Sequence, residues 1–235
     1  MSRLIFIQDK QYDSEMIYHM LNGKEEVDYI SRRNSMEIPE RYARRIADAS
    51  TYKDVESLIR LITEKRYMEI GVKLSKKVEL YQKSWDQMDS LFFTRLTRLT
   101  NMSIQFENYY CVVSAFHTGI SNWGGNKIAR HYDEDPLKMR RTTAHELIIS
   151  HIFAYMHKKH RELTNHIIWQ LAEVYAFAVI GLDKVMTGFW PWDKIAVAVD
   201  HDYPELVPLQ NKLNDVAIKG PFEKYITEGT KILLS

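Results

Sequence analysis

The chain has 235 residues, of which 45% are hydrophobic and 27% charged, and its formal net charge is +1. This composition excludes a disordered chain, and the balanced charge gives no indication of a nucleic-acid partner or of an anionic membrane surface. The single cysteine, Cys111, excludes an intrachain disulfide and a cysteine-rich zinc site.

No apolar run is long enough to cross a membrane. The apolar stretch Leu4 to Ile7 near the N-terminus is too short for the core of a signal peptide. We therefore expect a cytoplasmic protein without a membrane partner.

The first hundred residues are rich in helix-forming sequence. Leu4 to Ile7 predicts a short strand, and the next helix has Asp13 or Ser14 as its N-cap and Gly23 at its end. Apolar residues three and four apart predict helices over the segments 13–22, 35–50, 51–74 and 76–100.

The pattern changes near Asn101. Runs of β-branched and aromatic residues predict strands at 108–116, 127–132 and 195–204, with the second expected at an edge of the sheet. Glycine, serine and asparagine predict a loop at 117–126, and an aromatic turn with Trp190 and Trp192 is expected to close the core. Helices are predicted from about Leu137 or Thr142 to His160, and over 164–182, 204–215 and 221–233.

The order of helices, then strands, then helices predicts an α+β fold that is predominantly helical. A boundary near residue 100 would separate a mostly helical N-terminal region, 1–100, from a second region, 101–235. No linker rich in glycine, serine or proline marks that boundary, so the two regions could also form one continuous domain.

The segment Thr143–His151 reads TAHELIISH and begins a stretch that holds five of the nine histidines. An ideal helix turns about 100° per residue, which places Ile149 and Ile152 within about 40° of His145. His145 therefore faces the core, and Glu146 lies about 100° around the helix. A lone inward histidine is usually a core residue with one hydrogen bond, but a glutamate directly after it makes a functional site worth testing.

A second inward acidic residue, Glu173, lies on the next predicted helix. It shares a face with Trp169, Ala176, Phe177 and Ile180. A carboxylate within an apolar helix face is costly unless it is paired, hydrogen-bonded or bound to a metal. The sequence leaves these alternatives open for Glu173.

At residues of about 70–182 the chain resembles the zincin metallopeptidases, in particular the branch with a glutamate as a zinc ligand. The resemblance rests on a long helix, a strand, a Gly/Asn loop, an edge strand, a helix that opens TTAHEL and a helix with WQLAEVYAFAVI. The family's active-site helix carries H-E-x-x-H, and its next helix donates a glutamate. The resemblance implies a zincin-like core with a small sheet, and a zinc ion that activates water and polarises the scissile carbonyl.

By this resemblance His145 corresponds to the first zinc ligand, Glu146 to the general base and Glu173 to the third ligand. The second histidine departs from the motif because Ile149 stands at its position. His151 follows His145 by six residues, about 120° around a straight helix and about 9 Å along its axis. Two imidazoles so placed cannot share a zinc ion whose bonds are about 2 Å long.

Three arrangements therefore remain open. A bulge or kink near Ser150 could bring His151 to the metal, since π-bulges occur at functional sites. His117 or His131, which would border a zincin cleft, could complete the site instead. Otherwise the site holds no metal, and its side chains form a hydrogen-bonded cluster.

The sequence thus predicts a zinc-dependent metallopeptidase, active or degenerate, that acts on a peptide or protein. Zinc would be held by His145, Glu173 and His151, and Glu146 would take a proton from the metal-bound water. The chief alternative is a non-catalytic helical module that binds a protein partner and retains a relic His/Glu cluster. A third interpretation is a metal-dependent hydrolase of substrates other than peptides.

Overall fold

The computed structural model describes residues 2–117, 120–121, 124–190 and 203–235. In the first hundred residues the described α-helices are α1 Lys10–Leu21, α2 Glu26–Ser35, α3 Glu40–Ala47, α4 Tyr52–Asp86 and α5 Asp89–Thr100. Those that follow are α6 Pro136–Lys159, α7 Asn165–Leu182, α8 Val207–Lys219 and α9 Phe222–Leu234. The described chain is predominantly helical with a small sheet, as the α+β prediction requires.

The described strands form one sheet in the order β1-β2-β4-β3. They are β1 Arg3–Ile7, β2 Asn108–Ser114, β3 Ile120–Ser121 and β4 Lys127–His131. The strands β1, β2 and β4 are parallel, with Phe6, Cys111 and Ile128 side by side, whereas β3 is antiparallel to β4. The prediction that residues 127–132 form an edge strand is therefore wrong, because the short β3 covers β4.

The main core lies between this sheet and the helices α4 to α9. Leu4, Tyr81, Ile148 and Val179 are all buried in it, so β1 and α4 pack with elements from beyond residue 100. A smaller core joins α1, α2 and α3 to the first half of α4. Regions 1–100 and 101–235 thus share the sheet and the main core, and only the smaller core is mostly N-terminal.

The single helix predicted over 76–100 is wrong, since α4 ends at Asp86 and α5 begins at Asp89. Asp89 Oδ1 accepts hydrogen bonds from the Leu4 backbone N–H, at 3.0 Å, and from the Trp85 indole. The first residue after the break therefore provides an acceptor for a backbone N–H of β1. Gln87 keeps helical backbone angles, whereas Met88 has a φ of −130° and separates the two helices.

The predicted start of the first helix is also wrong. Its N-cap is Asp9, whose side chain accepts from the Tyr12 N–H, and not Asp13 or Ser14. Asp13 is fully buried and accepts from the Tyr67 hydroxyl at 3.0 Å and from the Ala115 N–H at 2.9 Å. Its carboxylate therefore joins α1 to α4 and to the end of β2.

The helices around the candidate site begin close to their predicted positions. Asp135 caps α6, which starts at Pro136, and Thr164 caps α7 through the Ile167 N–H. Trp190 is buried and donates to the Ile180 carbonyl at 3.1 Å, as a core residue should. Trp192 and most of the predicted strand 195–204 lie outside the described residues. Among the described helices, none combines the length and the apolar character needed to cross a bilayer.

Candidate functional site

Two neighbouring helices bring a histidine and a glutamate together in the core. His145 of α6 and Glu173 of α7 are both buried, and Nε2 of the histidine lies 3.0 Å from Oε2 of the glutamate. The other carboxylate oxygen, Oε1, accepts from the Trp169 indole N–H at 3.1 Å. The Phe177 ring packs on the imidazole, with 4.5 Å between ring centres. The convergence expected from the sequence is therefore present.

The charge of Glu173 dominates the environment of the imidazole. Burial alone lowers the pKa of His145, but the contact with the Glu173 carboxylate outweighs it, and the net pKa is raised. Glu146 acts in the same direction. Nδ1 of His145 is buried and has no hydrogen-bond partner among the described residues. The imidazole therefore has a polar contact at Nε2 and none at Nδ1 among the described residues.

Glu146 follows His145 on α6, and its charge also acts on Tyr12 in the first turn of α1. It is 9% exposed, and its charge acts on both His145 and Tyr12. The pKa of Tyr12 is raised, mainly by burial and then by Asp13, with Glu146 a smaller contribution. A carboxylate next to His145 is therefore available on the same helix, as the motif requires of a general base.

His151 does not join this group. It is buried, and its Nε2 lies 3.2 Å from the Thr100 hydroxyl at the end of α5. Burial lowers the pKa of His151 to about 4. The helix α6 is continuous from Pro136 to Lys159, so no break moves His151 toward His145. The three predicted metal ligands thus include two that converge and one that contacts a different helix.

The position that the zinc-peptidase motif gives to the second histidine, between His145 and His151, is apolar here. Ile149 is 2% exposed and belongs to the main core. Within the described part of the chain, no three His, Cys, Asp or Glu side chains are grouped so that they could hold a metal ion. His145 and Glu173 form a pair without a third protein donor of that kind.

The separation within the pair suits two zinc ligands as well as an ion pair. Donor atoms that share a tetrahedral zinc at about 2.0 Å lie about 3.3 Å apart, close to the observed separation of 3.0 Å. A neutral imidazole nitrogen and a carboxylate oxygen are both suitable zinc donors. The residues present therefore fit two of the three protein ligands of a catalytic zinc, and Ile149 does not supply the third.

The other two histidines considered for the site have different surroundings. His117 is buried at the end of β2, with Nε2 3.4 Å from Asp13 Oδ1. The pKa of His131 is lowered, chiefly by burial, and its backbone carbonyl accepts from the Tyr81 hydroxyl. Neither has a contact with the His145–Glu173 pair among the described interactions.

Residues 124–126, which lead into β4, lie directly on α6. Gly124 has a φ of +85°, and a Cβ there would be 3.4 Å from the Ala154 backbone nitrogen. The Ser150 hydroxyl donates to the Gly125 carbonyl. The polar Ser150 in the TAHELIISH segment therefore binds the chain just before β4, and α6 continues through it without a break.

Trp169 is the site residue that sequence reasoning did not assign. It precedes Glu173 by one helical turn, and an indole N–H at that spacing can reach a carboxylate on the same face. That spacing was the available signal, and Phe177 one turn later packs on the imidazole of His145.

Comparison of the chain with protein-family models, with curated proteins and with solved structures finds no match.

Proposed function

We propose that this chain is a zinc-dependent metallopeptidase of the zincin class, acting on a peptide or protein in the cytoplasm. The observation that carries the proposal is the 3.0 Å contact between His145 Nε2 and Glu173 Oε2 across two neighbouring helices. The residue order supports it as well, because Glu146 directly follows His145 on a helix that packs beneath a short antiparallel strand.

The chain's own residues would divide the work as follows. His145 and Glu173 would hold the zinc, which when bound polarises a carbonyl and makes its water acidic. Trp169 fixes the Glu173 carboxylate through Oε1, leaving Oε2 for the metal. Glu146 would accept the proton of the attacking water and pass it to the leaving amine.

The missing second histidine sets the expected affinity. Structural and catalytic zinc sites have at least three protein ligands, and this pair supplies two. We therefore expect zinc to bind more weakly than in a three-ligand site, by at least ~10-fold. Water or the substrate would fill the remaining positions, so zinc has to be present during an assay.

The test is a comparison of zinc binding and hydrolysis in protein purified without a histidine tag. Zinc titration of the metal-free protein should give about one equivalent, lost in His145→Ala and Glu173→Ala and kept in His19→Ala, an exposed histidine on α1. Glu146→Gln should keep the zinc and lose hydrolysis of a mixed peptide library. Zinc binding that is unchanged in His145→Ala would refute the assignment.

A second function is favoured by the surroundings of His151 and Ile149. The histidine contacts Thr100, the isoleucine is in the core, and the His145–Glu173 ion pair can be stable without a metal. These contacts support a non-catalytic helical module that binds a protein partner. This candidate predicts no saturable zinc binding, and loss of stability alone in His145→Ala.

A further inference from the structure

A groove lies between the end of α6 and the segment that links α5 to β2. Its volume is about 740 Å³. The lining residues that matter for binding are Met102, Ile104, His151, Lys158, Lys159 and Arg161. This volume lies within the range of about 300–1,000 Å³ that is usual for small-molecule sites.

The charged residues that line this groove are all basic. Lys158, Lys159 and Arg161 are exposed, and none has an ion-pair partner within the described residues. No aspartate or glutamate among the described residues belongs to its lining. Unpaired cations that converge on one concave surface attract an anion, and arginine and lysine are the usual phosphate-binding side chains.

The helix dipole explains part of this pattern but not all of it. Basic residues in the last turn of α6 are favourable because the carbonyl end of a helix carries a partial negative charge. That effect accounts for Lys158 and Lys159. It accounts neither for Arg161, which lies beyond the helix, nor for a buried histidine in the same groove.

The protonation of His151 can be read from its neighbour. The Thr100 hydroxyl donates to the Leu96 carbonyl at 2.9 Å, so its oxygen is left to accept from Nε2–H of His151. The imidazole is neutral, because burial lowers its pKa to about 4. Nδ1 is then an acceptor, and it has no partner among the described residues.

We propose that this groove binds a small organic phosphate that also carries a hydrogen-bond donor. The phosphate would lie among Lys158, Lys159 and Arg161 at the rim. The body of the molecule would pack on Met102 and Ile104, and an N–H group at its inner end would donate to Nδ1 of His151. This site is independent of zinc, since none of its cations contacts His145 or Glu173.

The experiment is calorimetric titration of the whole chain, in the presence of a chelator, with adenosine 5′-monophosphate, adenosine and inorganic phosphate. The monophosphate supplies a phosphate, a planar body and an amino group. We expect it to bind more tightly than either fragment, with an affinity that falls as salt is raised. Failure of both phosphate-bearing probes to bind at ~10 mM, a concentration that detects affinities of only a few kcal/mol, overturns the proposal.

The contribution of the three basic residues to binding is tested with two variants that lose the same number of charges. The triple change Lys158→Gln, Lys159→Gln and Arg161→Gln should weaken binding of the monophosphate by at least ~10-fold. The control removes the same charge from exposed lysines elsewhere, by Lys24→Gln, Lys53→Gln and Lys83→Gln. Equal weakening by both triple variants would reduce the effect to net charge and overturn the site.

The contribution of His151 to binding is tested separately with two substitutions. His151→Phe should weaken the monophosphate and leave inorganic phosphate unaffected, because only the former donates to Nδ1. His151→Gln retains an acceptor and should bind the monophosphate better than His151→Phe does. If both variants bind it as the unchanged protein does, the histidine has no part in the site.

Discussion

Ile149 follows His145 by one helical turn, so the two side chains leave the same face of α6, yet only His145 meets Glu173. In a zinc peptidase helix that following position carries the second histidine. Here it contributes an apolar side chain to the core. The pair His145–Glu173 therefore combines two ligand-like contacts with a position that cannot bind metal.

Restoring a histidine at Ile149 should create a complete site. Ile149→His completes the H-E-x-x-H pattern, and the added imidazole would reach the space beside His145 and Glu173. We expect zinc affinity to rise by ~100-fold, and zinc to raise the melting temperature of the variant more than that of the unchanged protein. Titration followed by thermal denaturation measures both quantities.

The matched control for this change is Leu147→His. Leu147 is as buried as Ile149 but lies about 200° around the helix from His145. Leu147→His also places an imidazole in the core, so it should be destabilised to a similar extent. It should gain no zinc affinity, because its imidazole points away from the pair. Equal behaviour of the two variants would show that the His145–Glu173 pair does not define a metal position.

Removing Glu173 should strongly destabilise the metal-free protein. Glu173→Ala leaves His145 without its counter-charge and Trp169 without its acceptor, at an expected cost of about 3 kcal/mol in the free energy of unfolding. The double variant with His145→Ala should lose less than the sum of the two single losses, since the side chains interact. Urea denaturation gives these values, and Glu69→Ala, in an exposed ion pair, should change little.

Much of the architecture could be predicted because helix periodicity and caps are local. The span of α7 and the inward orientation of His145 and Glu173 follow from spacing alone. The position of β4 inside the sheet could not be predicted, because strand order depends on long-range pairing. The role of Asp13 was missed for a related reason: a capping residue and a buried acid look alike in sequence, and only the partners Tyr67 and Ala115 distinguish them.

The two aspartates at the start of α1 should differ in their effect on stability. Asp9→Ala removes a half-buried cap whose other carboxylate oxygen pairs with Lys127, and we expect a loss of about 1 kcal/mol. Asp13→Ala leaves buried hydrogen-bond donors of Tyr67 and Ala115 unsatisfied, so a loss of about 3 kcal/mol is expected. Chemical denaturation of both variants measures the difference. A cap at Asp13, as the sequence alone suggested, would give the reverse order.

His151 should make the stability of the metal-free protein fall in mild acid. Its pKa is lowered from 6.5 to about 4 in the folded state, so between these values the unfolded chain binds a proton that the folded chain does not. The contribution of neutral His151 is therefore present above about pH 6.5 and is lost as the pH falls toward 4. The shift corresponds to about 3 kcal/mol over this window.

The raised pKa of His145 acts in the opposite direction, because its pairing with Glu173 stabilises the fold below the unfolded pKa and is lost as the pH rises through the folded pKa. The two histidines are separated by comparing the unchanged protein with His151→Gln, which keeps a donor for Thr100 and does not titrate. Denaturation at pH 7 and at pH 4 should show a difference in stability between the two proteins that changes by about 3 kcal/mol, with the unchanged protein losing more. Parallel pH curves would mean that the pKa of His151 is the same in the folded and the unfolded chain, and would contradict the lowered pKa.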